Sequence, residues 1–185
     1  FRDPIFSSMI HREKSALGDL VNVVLHESVH ATVYVSGQSV FNESLAEFVA
    51  SQLTTDYLKE RYGGESEQFN AYMAADRRDL KYRLRYSQAY MALEQIYASD
   101  LSDAEKRAQK IEVLSTLKKD LDLKRDINNA SLIQYRTYGT GLGELAQLWS
   151  HCDKNAQRFL GIVARLKSED FAREQQDNFS SVVLK

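Results

Sequence analysis

The sequence contains little that would interrupt regular secondary structure, with one proline and eight glycines among 185 residues. Proline and glycine are the residues least favourable inside a helix, so their scarcity favours long helices. Long stretches rich in Ala, Leu, Lys, Glu and Arg favour helix as well, and no convincing strand pattern is visible. We therefore predict a mainly α-helical protein.

Three further absences exclude classes of protein. A single cysteine excludes an internal disulfide. No apolar run reaches the length that a membrane span needs. The formal net charge is −2, so nothing indicates a nucleic-acid partner. The length suits one domain over residues 1–185 with a hydrophobic core of its own.

A histidine pair is conspicuous because the whole chain has only four histidines. His26-Glu27-Ser28-Val29-His30 is an HExxH motif. On a helix, residues four apart lie on one face, so both imidazoles can bind one metal ion, and Glu27 is then placed as a base rather than as a ligand. The flanking segments are almost wholly apolar, where polar side chains without partners are costly. The motif therefore predicts a zinc site.

The sequence offers Glu43 as the third ligand. A metzincin would have glycine and histidine where this chain has Val33 and Ser36, so that class is excluded. We predict that the first helix runs up to Gly37, that Asn42 caps the second helix, and that Glu43 lies in its first turn near the metal. Three protein ligands leave one coordination position open, which is the arrangement of catalytic zinc.

Other interpretations of these side chains remain open. His26 and His30 could be core histidines bonded to backbone, with Glu27 paired to an arginine. Glu47, one turn after Glu43, is predicted to accept the outer N–H of a ligating histidine, and Asn42 is assigned to the same supporting layer. Alternatively, Glu47 is an acidic residue favoured near a helix N-terminus by the helix dipole.

The remaining pattern predicts several helices and one long hairpin. The predicted helices cover residues 14–36, 43–61, 66–98, 102–125, 130–138, 142–151 and 155–167. The third and fourth should form an antiparallel hairpin, with a capping box at Ser102 and Glu105. Its seam is predicted to consist of apolar residues: Leu80, Leu84, Met91, Ile111, Val113, Leu114 and Leu117. The hairpin is either a lid or docking arm or a packed scaffold, and the polar tail after Glu169 is expected to fray.

The motif residues resemble those of the glutamate zincins (gluzincins), in which HExxH is followed by a helix that bears Asn-Glu and a further acidic residue. The run from Asp3 through the motif to Val49 is also similar to a bacterial family of predicted aminopeptidases. The stretch from Ile127 to Tyr138 is similar to the second block of that family. The resemblance implies a zincin-like helical metallopeptidase domain, with an HExxH helix, a glutamate-bearing second helix and the long hairpin.

The resemblance also implies roles for individual residues. His26, His30 and Glu43 would hold one Zn²⁺ ion, and Glu27 would be the catalytic base. The zinc-site helices would occupy residues 1–62, the hairpin 63–126 and the C-terminal helices 127–185. Because the chain begins at Phe1 within the family pattern, we expect an upstream portion to be missing. In the family such a portion often carries an export or lipoprotein signal, which implies the bacterial periplasm or cell envelope.

The predicted function is zinc-dependent hydrolysis of peptide bonds in a peptide or protein substrate, as in an aminopeptidase. Zinc would lower the pKa of a bound water, and Glu27 would take its proton and pass it to the leaving amine. Tyr138 and Tyr135 are candidate donors to the oxyanion, and Asn128 or Asn129 could hold substrate backbone. Each of these four could instead be a buried aromatic or a helix cap. Two other functions remain open: a zinc-stabilised, catalytically silent binding or scaffold protein, and a helical interaction module without metal.

Overall fold

The computed structural model describes residues 13–133, 135 and 139–184. Within these residues the protein is mainly helical and has no strand, which confirms the predicted fold class. No helix in this described part is long and apolar enough to cross a membrane. The helices are α1 (Ala16–Thr32), α2 (Ser39–Tyr62), α3 (Glu67–Ala98), α4 (Asp103–Asp120), α5 (Asn129–Ile133), α6 (Leu142–His151), α7 (Ala156–Val163) and α8 (Ser180–Val183).

The chain divides into two compact units. The first unit comprises Phe1–Asp76 and Thr140–Lys185, and the second comprises Arg77–Gly139. The HExxH motif lies in the first unit, and most of the long hairpin forms the second. The grouping of residues 1–185 into a single domain stays a prediction.

The core of the first unit forms where α2 packs against α1 and α6, and where α6 contacts α7 and α8. Aromatic rings meet edge to face in this core, with centroids 6.0 Å apart for Phe48 and Trp149 and 5.3 Å apart for Trp149 and Phe159. On α2, the side chains of Phe41 and Leu45 are fully buried and that of Phe48 is 9% exposed, so the core covers one face of this helix. The burial of that face fixes the rotation of α2 and leaves its opposite edge toward solvent.

The first helix ends at Thr32, earlier than the predicted residue 36. Val33 has an extended backbone with φ −133° and ψ 121°, and Val33 and Val35 are both buried. β-Branched residues favour extended backbone, so the chain leaves the helix where these side chains can enter the core. Gly37 has a left-handed backbone conformation, with φ 75°, inside the connection to α2.

The second helix begins at Ser39, so the prediction that Asn42 caps it was wrong. Asn42 is buried inside the helix and binds both backbone polar groups of Val35. Its Oδ1 accepts from the Val35 N–H at 2.9 Å, and its Nδ2 donates to the Val35 carbonyl at 2.8 Å. One amide thereby pairs the N–H of a buried residue between the helices and adds a second hydrogen bond to its carbonyl, which also accepts from the Gln38 N–H at 3.2 Å. Glu43 consequently lies in the second turn of α2 rather than in the first.

The tail after Glu169 packs on the core as far as Val183, whereas the prediction expected it to fray. Phe171 and Phe179 are buried, and both rings contact Phe41 edge to face at centroid distances of 5.2 Å. Gly141, with φ 72°, gives room to Phe179, because a Cβ at that position would overlap the ring. The prediction followed the mostly polar composition of the tail and overlooked its few apolar side chains, which complete the core.

The second unit is built on an antiparallel pairing of α3 and α4. The Tyr82 hydroxyl donates to the Leu121 carbonyl at 3.1 Å, and Arg85 forms an ion pair with Asp120. At the other end, Lys106 Nζ donates to the carbonyl of Tyr97 at 3.1 Å. The core between the helices consists of small and apolar side chains: Ala89, Leu93, Leu117, Leu121 and Leu132.

The predicted hairpin seam was wrong on α3, and on α4 it was right except at Ile111. Three of its members pack in this core: Val113, Leu114 and Leu117. The other four are largely exposed, at 48%, 52%, 56% and 68% for Leu80, Leu84, Met91 and Ile111. Tyr86 and Tyr90 pack on the core in their place. Tyrosine buries its ring while its hydroxyl stays near water, so a count of aliphatic residues alone assigned α3 the wrong inward face.

The helix ends of the second half agree with the sequence signals in part. The capping box is confirmed, with the Ser102 hydroxyl accepting from the Glu105 N–H and the Glu105 carboxylate accepting from the Ser102 N–H at 2.9 Å. α4 ends at Asp120 rather than at residue 125, and Asp122 has a left-handed φ of 49°. α6 has the predicted bounds and α7 is shorter than predicted, whereas the helix predicted over residues 130–138 lies partly outside the described residues.

Candidate metal centre

The two motif histidines lie together on α1. Their Nε2 atoms are 3.0 Å apart and their ring centroids 4.7 Å apart, with the ring planes at 79° to each other. The four-residue spacing on one helix produces this pairing directly. Both side chains are only partly accessible, at 24% for His26 and 21% for His30.

Glu43 approaches the pair from α2 through both of its carboxylate oxygens. Oε2 lies 3.4 Å from His26 Nε2, and Oε1 lies 3.4 Å from His30 Nε2. One ligand atom from each of the three residues can be chosen so that all lie within 4.8 Å of one another. The structure therefore brings the three predicted ligand residues to one point.

The spacing of these atoms fits a zinc ion. With ligands at about 2.0–2.1 Å in tetrahedral geometry, neighbouring ligand atoms are about 3.3–3.4 Å apart. The observed separations of 3.0 and 3.4 Å are close to that value. Two imidazole nitrogens and one carboxylate are also the donor set of many catalytic zinc sites. Each Glu43 oxygen faces a different Nε2 atom, so the carboxylate and both rings share one centre.

The electrostatics of the pair favour the form of histidine that binds metal. Burial lowers the pKa of the His26 imidazole from its ordinary value of 6.5, and the neighbouring His30 ring acts in the same direction. The carboxylates of Glu43 and Glu27 oppose this effect. Because only a neutral imidazole can bind a metal ion, the net lowering favours the binding form.

Glu27 lies beside the cluster without belonging to it. It follows His26 on α1, is half-buried, and is not among the described side chains that converge as possible ligands. This placement agrees with a role other than that of a ligand. Its predicted role as base stays a prediction at this point.

The two residues predicted to support the ligands differ in their surroundings. Glu47 is half-buried one turn after Glu43 on α2, and its support of a histidine stays a prediction. The Asn42 amide binds both the N–H and the carbonyl of Val35 in the α1–α2 connection. Its assignment to the layer that supports the ligands stays a prediction.

The predicted substrate-binding residues lie in the second unit or outside the described residues. Asn128 accepts from the Ser131 N–H at 3.1 Å, and Asn129 donates to the Tyr97 hydroxyl at 3.0 Å. The Tyr135 ring lies against that of Tyr86, with centroids 4.4 Å apart. Tyr138 lies outside the described residues. A role of these four residues toward substrate stays a prediction.

Sequence reasoning missed Tyr72, which packs against α1 one turn before the histidines. Tyr72 is 3% exposed, and its hydroxyl accepts from Asn22 Nδ2 at 3.0 Å. A Cβ on Gly18 would come within 2.5 Å of the Tyr72 ring, so the glycine allows this close approach. Burial raises the pKa of the Tyr72 hydroxyl above its ordinary value of 10.0, and Asp76 adds to the effect. A glycine inside an otherwise helical segment was the available signal for such a contact.

A second missed residue is Gln38, which ties the start of α2 to the tail. Gln38 is 2% exposed, its Nε2 donates to the Arg173 carbonyl at 2.7 Å, and its Oε1 accepts from the Gln176 N–H at 3.0 Å. The Gln175 N–H also donates to the Gly37 carbonyl at 2.9 Å. No local sequence pattern predicts these hydrogen bonds, because the bonded residues are far apart in the sequence.

Comparisons with known proteins give one match. A family model described as putative aminopeptidase matches residues 1–177. No curated protein and no solved structure matches the chain. The matched region includes both helices that carry the candidate ligands.

Proposed function

Because the chain belongs to the putative aminopeptidase family, we propose that it is a zinc-dependent peptidase, which hydrolyses peptide bonds in a peptide or protein substrate. In this proposal His26, His30 and Glu43 hold one Zn²⁺ ion, which is the ligand set of a gluzincin. A single observation carries the proposal. Ligand atoms from two successive helices converge to within 4.8 Å of one another.

The proposed chemistry divides between metal and protein. When bound, zinc acts as a Lewis acid toward the scissile carbonyl and lowers the pKa of a coordinated water. Glu27 accepts a proton from the attacking water and delivers it to the leaving amine. Its position beside His26, half-buried and outside the ligand set, supports this role.

The unequal exposure of the ligand candidates supports access by a substrate. The Glu43 side chain is 67% exposed, whereas the two histidines are exposed by less than a quarter. The protein therefore surrounds the histidine side of the proposed centre and leaves the carboxylate side open. A structural zinc site would instead be closed by a fourth protein ligand. Among the described residues no fourth possible ligand joins the cluster.

The proposal is tested by Glu27→Gln in the full chain, purified without chelator. Glutamine has the same shape and cannot take a proton, so kcat on a peptide library should fall by about 10²- to 10⁴-fold. The zinc content should remain at one ion per chain, because Glu27 is not a ligand. Glu60→Gln, an exposed glutamate on α2, serves as the matched control and should leave both quantities unchanged.

Two results would contradict the proposal. Equal turnover by wild type and Glu27→Gln would remove the assigned base. Bound zinc without cleavage of any peptide by the wild type would favour a zinc-stabilised, catalytically silent binding protein.

A separate experiment distinguishes aminopeptidase from endopeptidase activity. Each cleaved peptide is compared with its Nα-acetylated form, which lacks the free amino group. An aminopeptidase should lose cleavage of the first bond when the amine is blocked. An endopeptidase should cleave both forms at the same internal bond, and that result would limit the function to general peptide hydrolysis.

A further inference from the structure

The outward side of α3 in the second unit carries a row of apolar residues. Leu80, Leu84 and Met91 are 48%, 52% and 56% exposed. Successive helical residues are rotated by about 100°, so these three lie on one side of the helix. The buried Ala89 and Leu93 lie on the other side, toward α4. Leu80 and Leu84 lie one turn apart, and Met91 lies two turns further along the same side of α3.

Basic side chains run beside this row. Arg77 and Lys81 are one turn apart, as Leu80 and Leu84 are, so the two rows are parallel and adjacent. Both basic side chains are exposed, and within the described residues neither forms an ion pair. We refer to Arg77, Leu80, Lys81, Leu84 and Met91 as the basic–apolar face.

The charge on this part of α3 is strongly one-sided. Residues 76–85 contain five basic and two acidic residues, although the whole chain has a net charge of −2, and one of the basic residues, Arg85, is paired with Asp120. Asp79 lies well away from the apolar row around the helix, whereas Asp76 lies one turn before Leu80 and Glu94 one turn past Met91. The positive charge is therefore local, and it adjoins the Leu80–Leu84 end of the row.

We propose that the basic–apolar face binds the surface of an anionic phospholipid bilayer. A helix with apolar residues beside Lys and Arg lies in the plane of such a surface, with its apolar side chains among the acyl chains. The long aliphatic parts of Arg77 and Lys81 can follow the leucines inward while their charges meet lipid phosphates. The parallel rows of exposed basic and apolar side chains match the anionic headgroups and the acyl chains of such a surface. The proposal does not depend on peptidase activity.

The test is flotation of the full chain with two kinds of vesicle, phosphatidylcholine alone and phosphatidylcholine mixed with phosphatidylglycerol. Wild type should float with the mixed vesicles and not with the neutral ones, and raising the salt from about 0.1 M to about 1 M should release it. Arg77→Gln/Lys81→Gln should lower the partition coefficient about 30-fold, from the attraction of two basic side chains. Leu80→Ser/Leu84→Ser should lower it by at least about tenfold through loss of inserted apolar surface.

Matched controls lie on the other helix of the hairpin. Arg107→Gln/Lys119→Gln removes the same charge from exposed positions of α4, and Ile111→Ser removes an apolar side chain that is 68% exposed. Both controls should float like wild type. Circular dichroism of every variant checks that the helices are intact.

Three outcomes would overturn the proposal. One is an absence of wild-type flotation with the mixed vesicles, and another is equal loss in the α4 controls and the α3 variants. The third is concentration-dependent self-association that Leu80→Ser/Leu84→Ser abolishes, which would make the face an interface between copies of the chain.

Discussion

Glu43 is the ligand candidate on which the proposed centre depends most. The histidines are held on one helix by their spacing, whereas the carboxylate arrives from a separate helix and is 67% exposed. Its exposure means that its removal changes little of the core. Glu43→Ala should therefore affect metal binding without affecting folding.

We expect Glu43→Ala to weaken zinc binding by more than about 100-fold. Loss of a residue that only supports a ligand costs up to about 100-fold, and loss of a ligand should cost more. Glu60→Ala on the same helix should change the affinity by less than about twofold, the ordinary effect of a distant surface change. Competition with a chromogenic chelator measures both affinities. Equal affinities for the two variants would remove Glu43 from the ligand set.

Tyr72 provides a second prediction for a single residue, because burial raises the pKa of its hydroxyl above 10.0. The unfolded chain then loses this proton at lower pH than the folded protein does. The stability contributed by the neutral hydroxyl is complete below pH 10.0 and is lost as the pH rises through the folded-state pKa.

We therefore expect the free energy of unfolding of wild type to fall more steeply above about pH 10 than that of Tyr72→Phe. Tyr34→Phe, at a side chain that is 69% exposed, should keep the wild-type slope. Urea denaturation at a series of alkaline pH values measures the slopes. Parallel curves for wild type and Tyr72→Phe would show that this hydroxyl does not contribute to the alkaline loss of stability.

At the scale of whole helices, α1 is positioned by close contact as well as by its apolar face. Gly18 allows the Tyr72 ring against the α1 backbone, and Asn22 binds the hydroxyl of the same residue at 3.0 Å. The histidines follow on the next turns of α1. A change at Gly18 therefore tests how this contact holds the helix.

Gly18→Ala should lower the free energy of unfolding by about 1–3 kcal/mol, because the new methyl group overlaps the Tyr72 ring. Gly161→Ala in α7 is the matched control, since a Cβ there meets nothing within 4 Å. That substitution should stabilise by about 0.5–1 kcal/mol through the higher helix propensity of alanine. Chemical denaturation gives both values. Stabilisation by both substitutions would show that Tyr72 moves aside without cost.

How well each helix could be predicted depends on how local its determinants are. The capping box at Ser102 and the bounds of α6 follow from residues a few positions apart, and the sequence predicts both. Asn42 binds the backbone of Val35 from inside α2. Because asparagine is a favoured capping residue, the sequence predicted the wrong start for this helix. The inward face of α3 is set by tyrosines that pack against the core, and the spacing of aliphatic residues alone does not predict it.

Within the molecule as a whole, the tail is the part that the sequence predicted least well. Phe179 is fully buried against Phe41, although it belongs to a polar segment. Trp149, the only tryptophan, lies in the same core and so reports on it. The convergence of His26, His30 and Glu43 could be predicted because neighbouring helices carry them, whereas the tail contacts join opposite ends of the chain.

Phe179→Ala should lower the free energy of unfolding of the first unit by about 3–5 kcal/mol, the cost of removing a fully buried phenylalanine ring. Leu184→Ala, at a side chain that is 37% exposed, should cost much less. Trp149 fluorescence during denaturation follows this core. Similar losses for the two variants would show that the tail adds little to the stability of the core.

The first unit is formed by two stretches of the chain that are separated in the sequence, and this has a consequence for biosynthesis. Ribosomes add about 5–20 residues per second, and roughly 120 residues separate the end of α2 from Phe179, so about 6–24 seconds pass between their emergence. During that interval the aromatic side chains of α2 lack their last partners, while the intervening Arg77–Gly139 unit is translated. Nascent chains stalled inside that window should therefore recruit chaperones, because apolar side chains of α2 are still uncovered.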